Sequence, residues 1–137
     1  MSSNIHATAI KIKNKGVLFI GKSGSGKSDL SLRLIVENKA KIIADDRVIV
    51  RNIREKLIAS APINLRGLME VRGIGIVNLD FISEAQIDLV VGLTLDKIER
   101  LPENKYYSIE NLKLPFIELN PFEASASAKL LTAISLL

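Results

Sequence analysis

Apolar and polar residues alternate over residues 7–13. Ala9, Lys11 and Lys13 fall on one side and Ile10 and Ile12 on the other, which predicts a half-buried strand. Asn14-Lys15-Gly16 supplies a turn, and residues 17–20 read as a short, wholly apolar strand. After a glycine-rich segment the period changes: over 29–39, Leu30 and Leu34 stand four apart, with Leu32, Ile35 and Val36 widening the stripe into a helix. Residues 42–44 predict a buried strand ending at Asp45-Asp46, and 48–51 with 57–59 a hairpin around 52–56. After Pro62, residues 64–71 predict a short helix weakened by Gly67. Residues 73–79, 87–95 and 115–119 predict further strands. Asn120, Pro121 and Glu123 read as the N-cap, first position and capping partner of a final helix, with Phe122, Leu130 and Ile134 as core or subunit-interface positions. Many strands, about three helices and interspersed hairpins predict one α/β domain with a mixed sheet.

Composition narrows the chemistry. The chain has 137 residues, the size of one domain, with 47% apolar and 25% charged residues, as expected of a packed globular protein. With no cysteine, disulfides and thiolate chemistry are excluded, and a single histidine argues against a His-rich metal site. The first sixteen residues have no apolar run ahead of their lysines, and no apolar stretch approaches the roughly 20 residues of a membrane span. The expectation is a soluble, cytoplasmic protein. Nineteen basic against fifteen acidic residues give a net charge of +4, but 4% aromatics and no dense basic run argue against nucleic acid as the partner.

Gly21-Lys22-Ser23-Gly24-Ser25-Gly26-Lys27-Ser28 satisfies G-x-x-x-x-G-K-[ST] at every fixed position. The glycines allow successive N–H groups to turn inward onto phosphate oxygens, and the following helix aims its positive end at the same anion. Lys27 can reach the β- and γ-phosphates of ATP, and the Ser28 hydroxyl can ligate Mg²⁺. A predicted strand before the motif and a predicted helix after it supply the required context.

Asp45 and Asp46 end an apolar strand, where a carboxylate can hold Mg²⁺ through water or accept a proton from an attacking hydroxyl. Gly73 and Gly75 invite a dinucleotide-binding reading that fails, because the third glycine position is Asn78 and a strand follows rather than a helix. Glu70 and Arg72 beside them read as surface charges from spacing alone. His6, one residue ahead of the first predicted strand, reads by itself as a solvated side chain.

HATAIKIKNKGVLFIGKSGSGKS (6–28), KIIADD (41–46), MEVRGIGIVN (69–78), ERLPE (99–103) and NPFEASASAKL (120–130), in this order and at these spacings, resemble the HPr kinase/phosphorylase family. More narrowly, the chain is similar to the short bacterial form that lacks the N-terminal regulatory domain of longer members. The resemblance implies that residues 1–137 form a single catalytic domain, a P-loop core akin to phosphoenolpyruvate carboxykinase. It implies an ATP- and Mg²⁺-dependent kinase of a seryl hydroxyl on HPr or an HPr-like phosphocarrier, with reverse dephosphorylation by phosphorolysis, assembled as a hexamer.

By position, the resemblance implies that Gly21 to Ser28 hold ATP, with Lys27 on the phosphates and Ser28 on Mg²⁺. Asp45 would take the seryl proton, Glu70 would serve Mg²⁺, Arg100 would stabilise the transferring phosphate, and His6 would match the family histidine ahead of the first strand. The chain departs from the family at Ala7, where many members have glycine, and in a shortened region between Asn78 and Ile87. At 121–125, PFEAS replaces a proline-glycine-arginine loop tied to dephosphorylation. Two other classes share the phosphate loop: a small-molecule kinase, and a nucleotide-binding regulatory module without turnover.

Overall fold

The computed structural model describes residues 2–137. Its first strand, β1 (Ser2–His6), passes through Ala7 into β2 (Thr8–Ile12), which turns back as β3 (Lys15–Ile20). Lys13 and Asn14 both take left-handed backbone, φ 50 and 65, matching the twist that a two-residue hairpin turn needs. The glycine-rich segment leads into α1 (Lys27–Asn38), then β4 (Lys41–Ala44), β5 (Arg47–Ile53) and β6 (Lys56–Ser60). β7 (Leu68–Val71) and β8 (Gly75–Asn78) make a separate two-stranded ribbon. There follow β9 (Glu84–Gln86), β10 (Leu89–Leu93), β11 (Lys105–Ile109), β12 (Leu112–Leu119) and α2 (Ala126–Ser135).

Six strands build the central sheet in the order β11-β12-β10-β3-β2-β4. β10 is parallel to β3 and β12, whereas β2 is antiparallel to β3 and β4, and β11 to β12, so the sheet is mixed as expected. β1, β5, β6 and β9 form a second sheet that covers one face of the first. The pleat sorts the apolar residues between two cores. Val17 and Phe19 of β3, and Leu89 and Val91 of β10, pack with Leu30, Leu34, Leu130 and Ile134 of the helices. Leu18 and Val90, on the alternate face, pack with Val48, Val50, Leu57 and Ala59 of the second sheet. The central sheet is therefore a middle layer with both faces covered. That corrects the half-buried reading of residues 7–13, since Thr8, Ala9, Ile10 and Ile12 are all buried.

One antiparallel ribbon passes between the two sheets. In the outer sheet it is β1 on β5, ending with His6 opposite Arg47; in the central sheet it is β2 on β4, beginning with Ala9 opposite Ala44. Between these pairs lie Ala7 and Thr8 on one strand and Asp45 and Asp46 on the other. Asp46 takes left-handed backbone (φ 71), a conformation aspartate tolerates better than most residues, and its carbonyl accepts the Ala7 N–H at 3.3 Å. A register shift between Ala9 and Ile10 adds to the bend.

Several local expectations change. Residues 64–71 are not a helix: a 3₁₀ turn over Ile63–Leu65 is followed by Gly67 at φ 72 and then by β7. A helix cannot pass through that left-handed residue, and the Leu79 N–H donating to the Gly67 carbonyl at 2.7 Å closes the β7–β8 ribbon instead. The final helix starts at Ala126 rather than at Pro121. The Asn120 side chain accepts the Phe122 N–H at 3.0 Å, a local turn that competes with helix initiation. Phe122 is consequently exposed, not core, whereas Leu130 and Ile134 are buried as expected. The apolar pattern does not predict β1, β9 or β11, and His6 ends a strand instead of preceding the first one.

Candidate active site

Gly26, at φ 98, turns the chain from the loop into α1. It caps the helix without a side-chain bond, so the first N–H groups of α1 are left for an anion. Lys27 folds back into the loop, its Nζ donating to the carbonyls of Gly21 and Lys22, both at 2.9 Å. Only 6% of this residue is exposed, and burial pushes its ammonium below the ordinary value against the pull of Asp46 and Asp45. A desolvated ammonium caged by carbonyls is a charge in want of an anion.

The acid pair divides its work. Asp45 is buried, and its Oδ1 accepts from Ser28 Oγ at 2.7 Å and from Thr8 Oγ1 at 3.0 Å. Asp46 is largely exposed, and its Oδ1 lies 3.0 Å from Nε2 of His6. The sheet-to-sheet bend thus places neighbouring carboxylates in different settings, one against the phosphate loop and one against the histidine.

Thr8 is not singled out by the sequence, since a hydroxyl at the start of a mostly apolar strand has no distinctive spacing. It is fully buried and serves only Asp45. Thr8→Val keeps the shape and removes the donor from a carboxylate. It should destabilise the fold by about 1.5–3 kcal/mol in urea denaturation at neutral pH, with Thr8→Ser recovering part of the loss.

A cleft of about 630 Å³ collects these groups. His6, Thr8, Lys27, Ser28, Asp45 and Asp46 line it together with Ser23, Gly24 and Gly26 of the loop. The β7–β8 ribbon contributes Glu70, Arg72 and Ile76, so a residue that spacing alone reads as a surface charge lines the same cleft as the phosphate loop. Phe122 also lines the cleft. Of the loop, Gly21, Lys22 and Ser25 shape the turn from behind: Ser25 N–H donates to the Lys22 carbonyl at 2.9 Å. Arg100 stands apart, exposed on the segment between β10 and β11 and outside the lining of the cleft.

Residues 1–135 match the family model described as HPr Serine kinase C-terminal domain. Among curated relatives, the HPr kinase/phosphorylase of Malacoplasma penetrans is 34% identical over 125 residues, covering 82% of this chain and 41% of that protein. The one from Caldanaerobacter subterraneus subsp. tengcongensis is 36% identical over 122 residues, covering 83% of this chain and 38% of that protein. The chain therefore spans about two fifths of the length of these relatives. A solved structure, the Hpr(Ser) kinase/phosphatase from Coxiella burnetii, has the same fold: TM-score 0.85 at 23% identity, covering 98% of this chain and 95% of that one. No helix among the described residues is long and apolar enough to cross a membrane.

Proposed function

The chain is a member of the HPr serine kinase C-terminal domain family, and on that premise we propose that it is an ATP- and Mg²⁺-dependent serine kinase of HPr or an HPr-like phosphocarrier. Residues 1–137 would act as one catalytic domain. The carrying observation is the 2.7 Å hydrogen bond from Ser28 to Asp45, which joins the phosphate loop and the acid pair into a single site.

The donors suit the metal. Ser28 and Asp45 meet in a cleft that Glu70 also lines, all three offering hard oxygen ligands. Among the described residues no cluster of three or more histidine or carboxylate groups could hold an ion by itself. Such a sparse oxygen set fits Mg²⁺, which keeps several waters and shares phosphate oxygens. Bound there, the ion would neutralise charge on the phosphates.

Lys27 and the loop N–H groups would hold the β- and γ-phosphates in line with the acceptor hydroxyl. Oδ1 of Asp45 is engaged by Thr8 and Ser28, while Oδ2 has no protein partner among the described residues. Oδ2 takes the seryl proton as the new O–P bond forms and the bond to the β-phosphate oxygen breaks, releasing ADP. The His6–Asp46 contact favours a second assignment, with Asp46 as acceptor oriented by His6 and Asp45 kept for Ser28.

The experiment is direct. Labelled ATP, Mg²⁺ and purified HPr should yield phosphoserine on HPr; no transfer would overturn the reading, and ATP use on small molecules without HPr would move it to a metabolite kinase. The same proposal includes cytoplasmic residence and a homo-oligomer, hexameric by resemblance. It also includes slow dephosphorylation, because residues 121–125 lack the arginine-bearing loop.

A further inference from the structure

We infer that Phe122 is the stacking platform for the nucleotide base. The inference rests on the reading of residues 21–28 as a phosphate site and adds to it the part of the nucleotide that the loop cannot hold.

The direction follows from topology. The phosphate loop leaves β3, and the acid pair lies on the β2–β4 side of it. A terminal phosphate drawn toward Asp45 and Ser28 sends the remainder of the nucleotide to the opposite side, over the ends of the strands parallel to β3. Those strands are β10 and β12, and ligands of such sheets bind beyond the carboxyl ends of parallel strands. The segment that follows β12 carries Phe122.

The ring is mounted, not loose. The backbone N–H of Phe122 donates to Asn120 Oδ1 at 3.0 Å, and the Arg33 guanidinium of α1 donates to the Pro121 carbonyl. Pro121 and the Phe122 ring lie against Gly26, where a Cβ would come within 2.7 and 3.3 Å of them. Yet Phe122 remains 58% exposed while lining the cleft. A large apolar ring fixed against the phosphate loop, with much of its surface open, offers a π-face at the place where the base emerges. Stacking uses a face that every base possesses, so it supplies affinity without choosing among purines.

The test compares ATP with inorganic tripolyphosphate, which has the phosphates and no base, by calorimetry on the full chain. Phe122→Ala should weaken ATP about 5- to 150-fold and leave tripolyphosphate within about twofold, whereas Phe122→Trp should keep ATP binding. The chain has no tryptophan, so the introduced indole is a sole reporter that ATP should quench and tripolyphosphate should not. Equal losses for both ligands would mean that the ring only props Gly26, and an unchanged ATP affinity would mean that it touches no base; either overturns the inference. Failure of the unmodified chain to bind tripolyphosphate would instead overturn the phosphate-site reading, and this inference with it.

Discussion

Asp45→Asn should lower phosphoryl transfer to HPr by about a hundred- to ten-thousand-fold, the span of a lost general base, while ATP still binds. Asparagine is close in shape, and its carbonyl oxygen can still accept from Thr8 and Ser28, the two bonds that fix this side chain. What disappears is basicity, together with the negative charge beside Ser28. The readout is single-turnover transfer at saturating ATP, with nucleotide affinity measured on the same variant. Asp46→Asn supplies the contrast, because it leaves the bonds to Thr8 and Ser28 intact and alters the partner of His6 together with one of the two negative charges that act on Lys27. If Asp46→Asn is the more damaging change, the proton acceptor is Asp46. If neither change slows transfer more than a few-fold, neither carboxylate does this work.

Lys27→Met should cost about a hundred- to a thousandfold in transfer, with weaker ATP binding. Methionine can occupy much of the buried stem's space, so the loss isolates the charge. The ammonium sits between two loop carbonyls at 2.9 Å, and burial holds its pKa below the ordinary 10.5. A phosphate in the loop favours the charged form and raises that pKa again. Binding in the alkaline range therefore takes up a proton, and affinity falls as pH climbs from the lowered free value toward the bound one. Calorimetry in buffers of differing ionisation enthalpy should detect this uptake in the native chain and not in Lys27→Met. Equal uptake in both would assign the proton to another group.

The sequence made the phosphate loop plain because its chemistry is contiguous: eight consecutive residues contain the turn, the cation and the hydroxyl. The apolar period also located β3 and β10, which are buried between layers, and α1, whose one buried face repeats at Leu30 and Leu34. Thr8 and Glu70 were not legible from spacing, because their roles depend on contacts that the chain makes 37 residues away for Thr8 and across a cleft for Glu70. The ribbon at 68–78 was misread in its first half because apolar spacing cannot reveal that Gly67 adopts left-handed backbone. At 120–123 the residues suited a helix start, but the Asn120 side chain spent its oxygen on a tighter turn and released Phe122 to the cleft. Resemblance, not spacing, brought Glu70 and His6 into consideration, and both line the cleft, whereas Arg100 does not.

The bend between the two sheets has a mechanical consequence. Asp45 follows a strand pair of the central sheet and is hydrogen-bonded to Ser28 of the phosphate loop, whereas Asp46 adjoins, and His6 ends, the strand pair of the outer sheet. Two consecutive carboxylates are thus anchored to different sheets, so a change in how the sheets pack on each other would be expressed first in the spacing between these two side chains.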